Sequence, residues 1–277
     1  MIQPLMKHCR FGLIGHPIAH SLSPALFKAG YEGRYPYELI EGEDFEESYQ
    51  KFLEEYDGIN VTAPFKELAF AKADILSPEC EAVGATNLLI KTHQGVKAFN
   101  SDFLGVRMWL EEVACKVGAS ISYSDRPSST NGSHPENISA LIVGLGGAGK
   151  AAAAAAESLG MEVVRMNRTV RDKMTRPLDD FIDCFREADI IIYNIPAAIP
   201  VLSELKDSDF TPGKPKFILE ANYKNPSFDN TLLAKMQAAN PLARYTGGKI
   251  WLLYQAATGY DIFTGEKPDL GRMADVL

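Results

Sequence analysis

The segment "LIVGLGGAGKA" (141–151) joins a strand-like apolar run to an alanine-rich helix through the glycine pattern G-x-G-x-x-G. Gly144 permits a tight turn, Gly146 lets the backbone approach a pyrophosphate, and Gly149 lets the helix pack closely on the strand. The helix N-terminus adds N–H groups and a positive dipole for phosphates. The segment therefore predicts a Rossmann-type dinucleotide site, although the pattern alone also fits a turn without a ligand. The expected cofactor contacts are Gly144, Gly146, Gly147, Ala148 and Gly149.

The next strand, "EVVRMN" (162–167), indicates which dinucleotide is bound. An NAD site has an acidic residue at the end of this strand, about 20 residues after the glycines, that holds the ribose 2′-hydroxyl. Here the position carries Asn167, Arg168 and Thr169, with Arg171 close by. Because a guanidinium would neutralise a 2′-phosphate, these four residues predict NADP rather than NAD. The alternative is a basic loop that only faces solvent.

Strand-like and helix-like segments alternate along both halves of the chain. In the first half we expect strands over 10–15, 36–41 and 59–62, and helices over 24–33, 43–56, 64–73 and 101–113. Residues 86–91 and 96–100 could form two more strands that pair across the turn "THQG". The second half adds strands over 162–167, 189–195 and 217–223. This alternation predicts an α/β protein with mainly parallel sheets.

Composition excludes several classes of protein. The 277 residues suffice for one or two domains, and the polar stretch 122–137 is the expected loop or linker. A net charge of −8 makes neither nucleic acid nor an acidic membrane an expected partner. The four cysteines are widely spaced without a Cys-x-x-Cys pair, so we expect free thiols, no metal site and a cytoplasmic location. We expect no membrane-spanning segment, since no apolar run approaches roughly 20 residues, and the first 15 residues do not have the pattern expected of a signal peptide.

The segment "GINVTAPFKE" (58–67) places a lysine where a helix does not favour one. Ile59–Thr62 is strand-like, and Pro64 suits the first position of a helix. Lys66 then falls in the first helical turn, where the positive end of the helix dipole opposes a cation. Such a lysine either simply reaches solvent or serves a function.

Six ordered segments resemble the shikimate dehydrogenase family along nearly the whole chain. The segment "GHPIAHSLSP" (15–24) is similar to G-x-P-I-x-H-S-x-S-P, and "NVTAPFK" (60–66) to N-V-T-x-P-F-K. The other similar segments are "GATN" (84–87), "NSD" (100–102), "GLGGAGKA" (144–151) with "NRT" (167–169), and "YQAATGYDIFTG" (254–265).

The resemblance implies an enzyme of two domains with a cleft between them. The substrate domain would comprise residues 1–103 and 248–277, and a Rossmann domain over 104–247 would bind NADP. The implied reaction is reversible hydride transfer between NADPH and 3-dehydroshikimate, which gives shikimate in aromatic amino acid biosynthesis. Whether the protein is a monomer or a homodimer stays open.

Carried over position by position, the resemblance implies a set of site residues. Lys66 and Asp102 would be catalytic, and Ser21 and Ser23 would bind the substrate carboxylate. The remaining substrate contacts would be Thr62, Asn87, Gln255 and Tyr223, and Gly248 would lie on the cofactor side. Without the resemblance, Asp102 would more simply cap a helix, Lys66 would be a surface residue, and the two serines would start a helix.

The residue types suit this chemistry. Reducing a ketone requires a group that stabilises negative charge on the oxygen and delivers a proton, and the ammonium of Lys66 can do both. In the reverse direction the same group must accept a proton. The helix N-terminus favours the neutral amine and Asp102 favours the ammonium, and the sequence does not decide between them. Asp102 could instead orient the substrate hydroxyl.

Some residues depart from the family pattern. Phe27 replaces the His of S-P-x-x-H-N, and Ile195 replaces the Thr of N-A-T-P, with Ala198 in place of the following Gly. Glu220 replaces the Asp of D-x-x-Y, and Trp251 replaces a Met before the glutamine segment. Two alternatives therefore stay open: a dehydrogenase for quinate or another cyclic hydroxy acid, and an NADP-binding regulatory protein without turnover.

Overall fold

A computed structural model describes residues 9–117 and 138–277. The chain divides into two compact units, one running to Gly105 and including Leu253–Leu277, the other comprising Val106–Leu252. The assignment of substrate to the first unit and cofactor to the second stays a prediction, as do the domain boundaries at 103 and 248. The expected loop or linker at 122–137 lies outside the described residues.

The first unit contains a six-stranded sheet in the order β2-β1-β3-β5-β6-β4. Three neighbouring pairs are parallel, β1 with β2, β1 with β3, and β4 with β6. Strand β5 pairs antiparallel with β3 and with β6, so the predicted hairpin across "THQG" is confirmed. The strands are β1 (Phe11–Gly15), β2 (Tyr37–Glu41), β3 (Gly58–Val61), β4 (Ile75–Leu76), β5 (Leu88–Thr92) and β6 (Gly95–Phe99).

Helices connect these strands, and α2 illustrates why they form. Phe45, Tyr49 and Phe52 recur every three or four residues and are buried on one face of α2. Asp44 precedes this helix, and its Oδ1 accepts from the backbone N–H of Glu47 at 2.9 Å, which caps the helix start. The helices are α1 (Ser23–Gly30), α2 (Phe45–Glu55), α3 (Lys66–Lys72) and α4 (Pro78–Val83). A fifth helix, α5 (Ser101–Val117), begins in this unit and continues into the second one.

The second unit contains a fully parallel sheet in the order β12-β11-β10-β7-β8-β9. This is the strand order of a doubly wound Rossmann sheet, in which ligands bind beyond the carboxyl ends of the central strands. The predicted Rossmann domain is therefore confirmed. The strands are β7 (Ser139–Val143), β8 (Glu162–Met166), β9 (Thr175–Arg176), β10 (Ile190–Tyr193), β11 (Lys216–Glu220) and β12 (Ala243–Gly247).

The helices of the second unit are α6 (Gly147–Ser158), α7 (Phe181–Glu187) and α8 (Asn230–Ala239). In α6 the alanine run accounts for the packing, since Ala151, Ala152, Ala155 and Ala156 are fully buried. Such small side chains let the helix approach its sheet closely. The chain continues through α9 (Lys249–Thr264) and ends with α10 (Leu270–Ala274), both mostly in the first unit.

Several expectations from composition can be compared with the structure. Cys9, Cys80, Cys115 and Cys184 form no disulfide bonds with one another. Within residues 9–117 and 138–277, no helix has the length and apolarity needed to cross a membrane. The same residues contain no group of three or more His, Cys, Asp or Glu side chains arranged to hold a metal ion.

Lys216, the first residue of β11, is a buried cation that is only 1% exposed. Its Nζ donates to the carbonyl oxygens of Phe185 at 2.7 Å and Ala188 at 2.5 Å, where α7 ends. Carbonyl groups at a helix end lack partners within the helix, so the lysine satisfies them. Burial lowers the pKa of Lys216 to about 8.

We expect the contribution of Lys216 to stability to increase as the pH rises from about 8 towards 10.5. In this window the folded chain has released the proton, whereas the unfolded chain still holds it at its ordinary value of 10.5. The unfolded state then binds more protons, so stability rises with pH. The free energy of unfolding, relative to Lys216→Met, should rise by about 2 kcal/mol between pH 7 and pH 10. Urea unfolding measures it, with Lys173→Met as the exposed control, since Lys214 itself contributes to the lowered pKa of Lys216. A constant or falling difference would contradict the expectation.

Candidate active site

Lys66 and Asp102 contact each other within the first unit. The Nζ atom of Lys66 lies 2.5 Å from Oδ2 of Asp102, although 36 residues separate them. Lys66 is the first residue of α3, and Asp102 is the second residue of α5. The side chains remain 28% and 19% exposed. The carboxylate therefore offsets the unfavourable helix dipole at Lys66, and both groups stay accessible to a small molecule.

The turn between β3 and α3 determines where Lys66 lies. The N–H of Thr62 donates to the carbonyl of Ile14 at 2.9 Å, and the N–H of Phe65 donates back to the carbonyl of Thr62 at 2.9 Å. Phe65 is buried, and its ring centroid lies 5.5 Å from that of Phe45. The expected helix start at Pro64 is wrong, because residues 62–65 form a hydrogen-bonded turn and α3 begins only at Lys66.

The start of α5 frees Asp102 from a capping role. Asn100 precedes this helix, and its Oδ1 accepts from the N–H of Phe103 at 3.0 Å. Its Nδ2 donates to the carbonyl of Ala85 at 2.9 Å, which fixes the amide in place. Asn100 thus performs the capping that the residue types alone would assign to Asp102, and the carboxylate of Asp102 is directed to Lys66 instead.

Asn87, Ser101 and Gln255 form a hydrogen-bonded group next to Asp102 in the chain. The Oδ1 atom of Asn87 accepts from the N–H of Ser101 at 2.7 Å, and the Oγ of Ser101 donates to Oε1 of Gln255 at 3.2 Å. Helices α5 and α9 come close at Gly105, where an added Cβ would lie 2.4 Å from the backbone nitrogen of Gln255. The structure therefore brings together Asn87 and Gln255, both predicted as substrate contacts, with Ser101, whose residue type and position suggest only a helix cap.

Ser21, Ser23 and Thr62 follow the carboxyl ends of two neighbouring parallel strands. Ser21 Oγ lies 3.2 Å from Ser23 Oγ and accepts from the N–H of Ser23 at 3.2 Å, just where α1 begins. Gly15 ends β1, and a Cβ there would lie only 2.4 Å from Cγ2 of Thr62. Because β1 and β3 are parallel neighbours, their ends carry these hydroxyl groups to one edge of the sheet.

Two further residues, Tyr37 and Asn60, are linked to Asn87 by successive hydrogen bonds, and the sequence patterns predict neither of them. The phenol of Tyr37 donates to Oδ1 of Asn60 at 2.8 Å, and Nδ2 of Asn60 donates to the carbonyl of Asn87 at 3.4 Å. A polar residue in the mostly buried strand β3 could have drawn attention to Asn60. No sequence signal links Tyr37 to it, because the contact reaches from β2 across β1 to β3.

Tyr223 and Gly248 lie in the second unit. Tyr223 follows β11, and its ring centroid is 6.0 Å from Nζ of Lys224. A Cβ at Gly248 would lie 2.2 Å from the carbonyl oxygen of Ala221, so a glycine is needed for close packing against the segment that leads to Tyr223. The substrate role of Tyr223 and the cofactor role of Gly248 stay predictions.

The glycine loop has the geometry that its pattern indicates. Gly144 has φ of +87°, a conformation that favours glycine. A Cβ at Gly149 would lie 1.8 Å from the carbonyl oxygen of Gly144, so only glycine fits between α6 and the turn. A Cβ at Gly146 or Gly147 would meet no atom within 4 Å, so the backbone there is open to a ligand. Ala148 is partly buried in the first turn of α6.

The predicted 2′-phosphate residues follow β8. Asn167 is held by its N–H, which donates to the carbonyl of Arg176 at 3.1 Å, and by its Nδ2, which donates to the carbonyl of Thr169 at 3.3 Å. Arg168 and Arg171 are exposed. Neither forms an ion pair with any residue in the described parts of the chain. The two guanidinium groups are therefore available to an anion.

The positions that depart from the family pattern differ in exposure. Ile195 is partly buried beside the glycine loop, and its Cγ1 would lie 3.0 Å from a Cβ added at Gly144. Trp251 is buried, and Ala198 is exposed. Glu220 is buried, with its carboxylate accepting from the N–H groups of Ser227 and Phe228 and from the phenol of Tyr245.

Comparison with known proteins finds a family model that matches part of each unit. A family model described as the shikimate dehydrogenase substrate binding domain matches residues 13–89. A model described as the NAD binding domain of D-isomer specific 2-hydroxyacid dehydrogenases matches residues 112–216. The shikimate dehydrogenase (NADP(+)) of Helicobacter pylori is 30% identical over 295 residues, which cover 98% of each chain.

Solved structures of a shikimate dehydrogenase and a quinate dehydrogenase are also similar to this chain. The shikimate 5-dehydrogenase of Thermus thermophilus in complex with NADP(H) and shikimate is 26% identical, with a TM-score of 0.73 over 97% of this chain and 98% of that one. The quinate dehydrogenase of Corynebacterium glutamicum in complex with NAD has a TM-score of 0.74 over 97% and 98% of the chains, and at 20% identity it shows the shared fold alone. With 30% identity over 98% of a curated relative and a matching substrate-domain model, this chain belongs to the shikimate dehydrogenase family.

Proposed function

We propose that this protein is an NADP-dependent shikimate dehydrogenase, which transfers hydride reversibly between NADPH and 3-dehydroshikimate in aromatic amino acid biosynthesis. The observation that carries the proposal is the contact between Lys66 and Asp102 at 2.5 Å, with both side chains still partly exposed. It lies in the unit that contains the match to the shikimate dehydrogenase substrate binding domain. The Thermus thermophilus relative, solved with shikimate and NADP(H), supports the same substrate and cofactor.

The residues of the second unit fit NADP. The open space at Gly146 and Gly147 leaves room for a pyrophosphate next to the start of α6. The exposed guanidinium groups of Arg168 and Arg171 suit a 2′-phosphate, and Asn167 and Thr169 hold the turn that presents them. When bound, the cofactor supplies or accepts the hydride.

Lys66 is the proposed proton carrier. As an ammonium it donates a proton to the carbonyl oxygen of the substrate during reduction, and as an amine it accepts the proton back from the hydroxyl during oxidation. Asp102 holds Nζ of Lys66 in place through the 2.5 Å contact. Because both groups sit on the first turns of helices, their positions are fixed by the backbone.

The other polar groups of the first unit hold and orient the substrate. We assign the carboxylate to Ser21 and Ser23, which offer hydroxyl donors at the start of α1. We assign the ring hydroxyls to Thr62, Asn87 and Gln255. Since Oδ1 of Asn87 accepts from Ser101, its Nδ2 is the end directed to a ligand oxygen. The resemblance adds Tyr223 to this set as a proposed substrate contact.

One assay tests the proposal and its alternatives. The purified protein is mixed with shikimate or quinate, each with NADP or NAD, and the absorbance of the reduced cofactor is followed. We expect the largest kcat/KM for shikimate with NADP. Faster turnover of quinate would favour a dehydrogenase for another cyclic hydroxy acid. Absence of turnover with every pair would favour an NADP-binding regulatory protein without turnover. Ile195, Ala198 and Trp251, which depart from the family pattern, are the residues that suggest this alternative. The cytoplasmic location and a monomeric or homodimeric state stay predictions.

Arg168→Ala should weaken NADP binding more than NAD binding. Losing one guanidinium contact to a phosphate costs about 1.5–3 kcal/mol, so we expect the Kd for NADP to rise by about tenfold or more and that for NAD by less than threefold. Isothermal titration measures both values. Arg165→Ala is the matched control, since this arginine of β8 pairs with Glu157. An equal loss for both cofactors would contradict a 2′-phosphate contact at Arg168.

A further inference from the structure

The phenol of Tyr37 connects an aromatic cluster to the polar group that includes Asn87. Its hydroxyl donates to Oδ1 of Asn60 at 2.8 Å. Asn60 in turn donates from Nδ2 to the carbonyl of Asn87 at 3.4 Å, and Oδ1 of Asn87 accepts from the N–H of Ser101 at 2.7 Å. Hydrogen bonds thus link Tyr37 to Asn60 and Asn60 to the backbone of Asn87, whose side chain contacts Ser101. The same carbonyl of Asn87 also accepts from the N–H of Val61 at 2.8 Å.

The ring of Tyr37 is held firmly by other aromatic rings. Its centroid lies 4.8 Å from that of Phe27 and 5.8 Å from that of Tyr260. Tyr260 is buried, and its hydroxyl donates to the carbonyl of Ser23 at 3.0 Å. Phe27 is the residue that replaces the histidine of the family pattern. Packing against Phe27 and Tyr260 leaves the Tyr37 hydroxyl little freedom to move away from Asn60.

The direction of these hydrogen bonds determines how Asn60 is oriented. A primary amide has a donor end and an acceptor end. The carbonyl of Asn87 can only accept, so it takes Nδ2 of Asn60. Oδ1 then faces Tyr37 and accepts from its hydroxyl, which holds the amide from the other side. Burial raises the pKa of Tyr37 well above its ordinary value of 10.0, so the phenol remains a donor throughout the range in which enzymes are assayed.

We propose that Tyr37 is a positioning residue for substrate binding, which acts by holding the amide of Asn60 and, through it, Asn87. This inference rests on the proposed function, because Asn87 is assigned there to a ring hydroxyl of shikimate. Tyr37 is not a catalytic residue in this scheme, because it acts through Asn60 and Asn87 and not on the reacting atoms. Its removal should therefore affect substrate affinity rather than the chemical step.

The test compares Tyr37→Phe with Tyr35→Phe. Tyr35 belongs to the same aromatic cluster, with its ring 6.4 Å from Phe27, but its hydroxyl donates to the exposed carboxylate of Glu266 at 3.1 Å. For Tyr37→Phe we expect the KM for shikimate to rise by about tenfold, the scale expected for losing one hydrogen bond in the positioning of the substrate contacts. We expect kcat and the KM for NADP to change less than threefold, and Tyr35→Phe to leave all three unchanged.

A double-mutant cycle distinguishes an effect of Tyr37 through Asn60 from a nonspecific destabilisation of the fold. If Tyr37 acts through Asn60, then Tyr37→Phe should raise the KM no further in a protein that already carries Asn60→Ala. An unchanged KM in Tyr37→Phe, or an equal rise in both backgrounds, would overturn the inference while wild-type turnover still supports the proposed function. If the wild-type protein does not turn over shikimate, the proposed function and the inference about Tyr37 are both contradicted. Circular dichroism on each variant checks the fold, which a Tyr→Phe change preserves by keeping the ring.

Discussion

Replacing Lys66 by alanine should lower kcat for shikimate oxidation by about a hundredfold or more, the usual scale for an acid–base group. The substrate is held mainly by the proposed hydroxyl and amide contacts, so its KM should change less than about threefold. Steady-state kinetics in both directions measure the effect. Both directions should suffer, because the group that donates the proton in reduction accepts it in oxidation.

The matched control for this substitution is Lys72→Ala. Lys72 ends the same helix, α3, and its Nζ lies 2.8 Å from the carboxylate of Glu46. We expect this variant to keep wild-type kinetics. Asp102→Asn then separates the two roles left open for the carboxylate: a fall in kcat indicates that it supports Lys66, and a rise in KM alone indicates that it orients the substrate. Near-normal turnover by the Lys66→Ala protein would remove this lysine from the chemistry.

Gly149→Ala should abolish NADP binding and destabilise the second unit. The added Cβ would lie 1.8 Å from the carbonyl oxygen and 2.9 Å from the carbonyl carbon of Gly144. The loop and the start of α6 must move apart to relieve this contact, which displaces the N–H groups proposed to hold the pyrophosphate. We expect NADP affinity to fall by about a hundredfold or more, and the free energy of unfolding by about 2–4 kcal/mol. Isothermal titration and urea unfolding measure the two losses.

Gly146→Ala and Gly147→Ala are the informative comparisons. At both positions the new Cβ would meet no protein atom within 4 Å, so stability should remain within about 0.5 kcal/mol of the wild type. If the pyrophosphate approaches the backbone at Gly146, that variant should nevertheless bind NADP less tightly. Normal NADP binding by Gly149→Ala would contradict the proposed site. A loss of stability in Gly146→Ala would contradict the expectation that a Cβ at this position contacts no protein atom.

The glycine loop could be predicted from the sequence because its constraints are local. The positive φ at Gly144 and the close approach at Gly149 follow from a strand, a tight turn and a helix that are adjacent in the chain. The hairpin over β5 and β6 was predicted for the same reason. The helix start at Pro64 was wrong, since the turn that delays α3 depends on the bond from Phe65 to Thr62 and on burial of Phe65 among distant residues.

The sequence by itself determined the two α/β units, the dinucleotide loop and which residue types could carry the chemistry. Only the tertiary structure decided that Asn100 rather than Asp102 caps α5, that Asp102 reaches Lys66, and that Tyr37 reaches Asn60. The reason is physical: backbone conformation depends on neighbours along the chain, whereas these contacts depend on the order in which strands pair and on which helices a glycine such as Gly105 allows to approach.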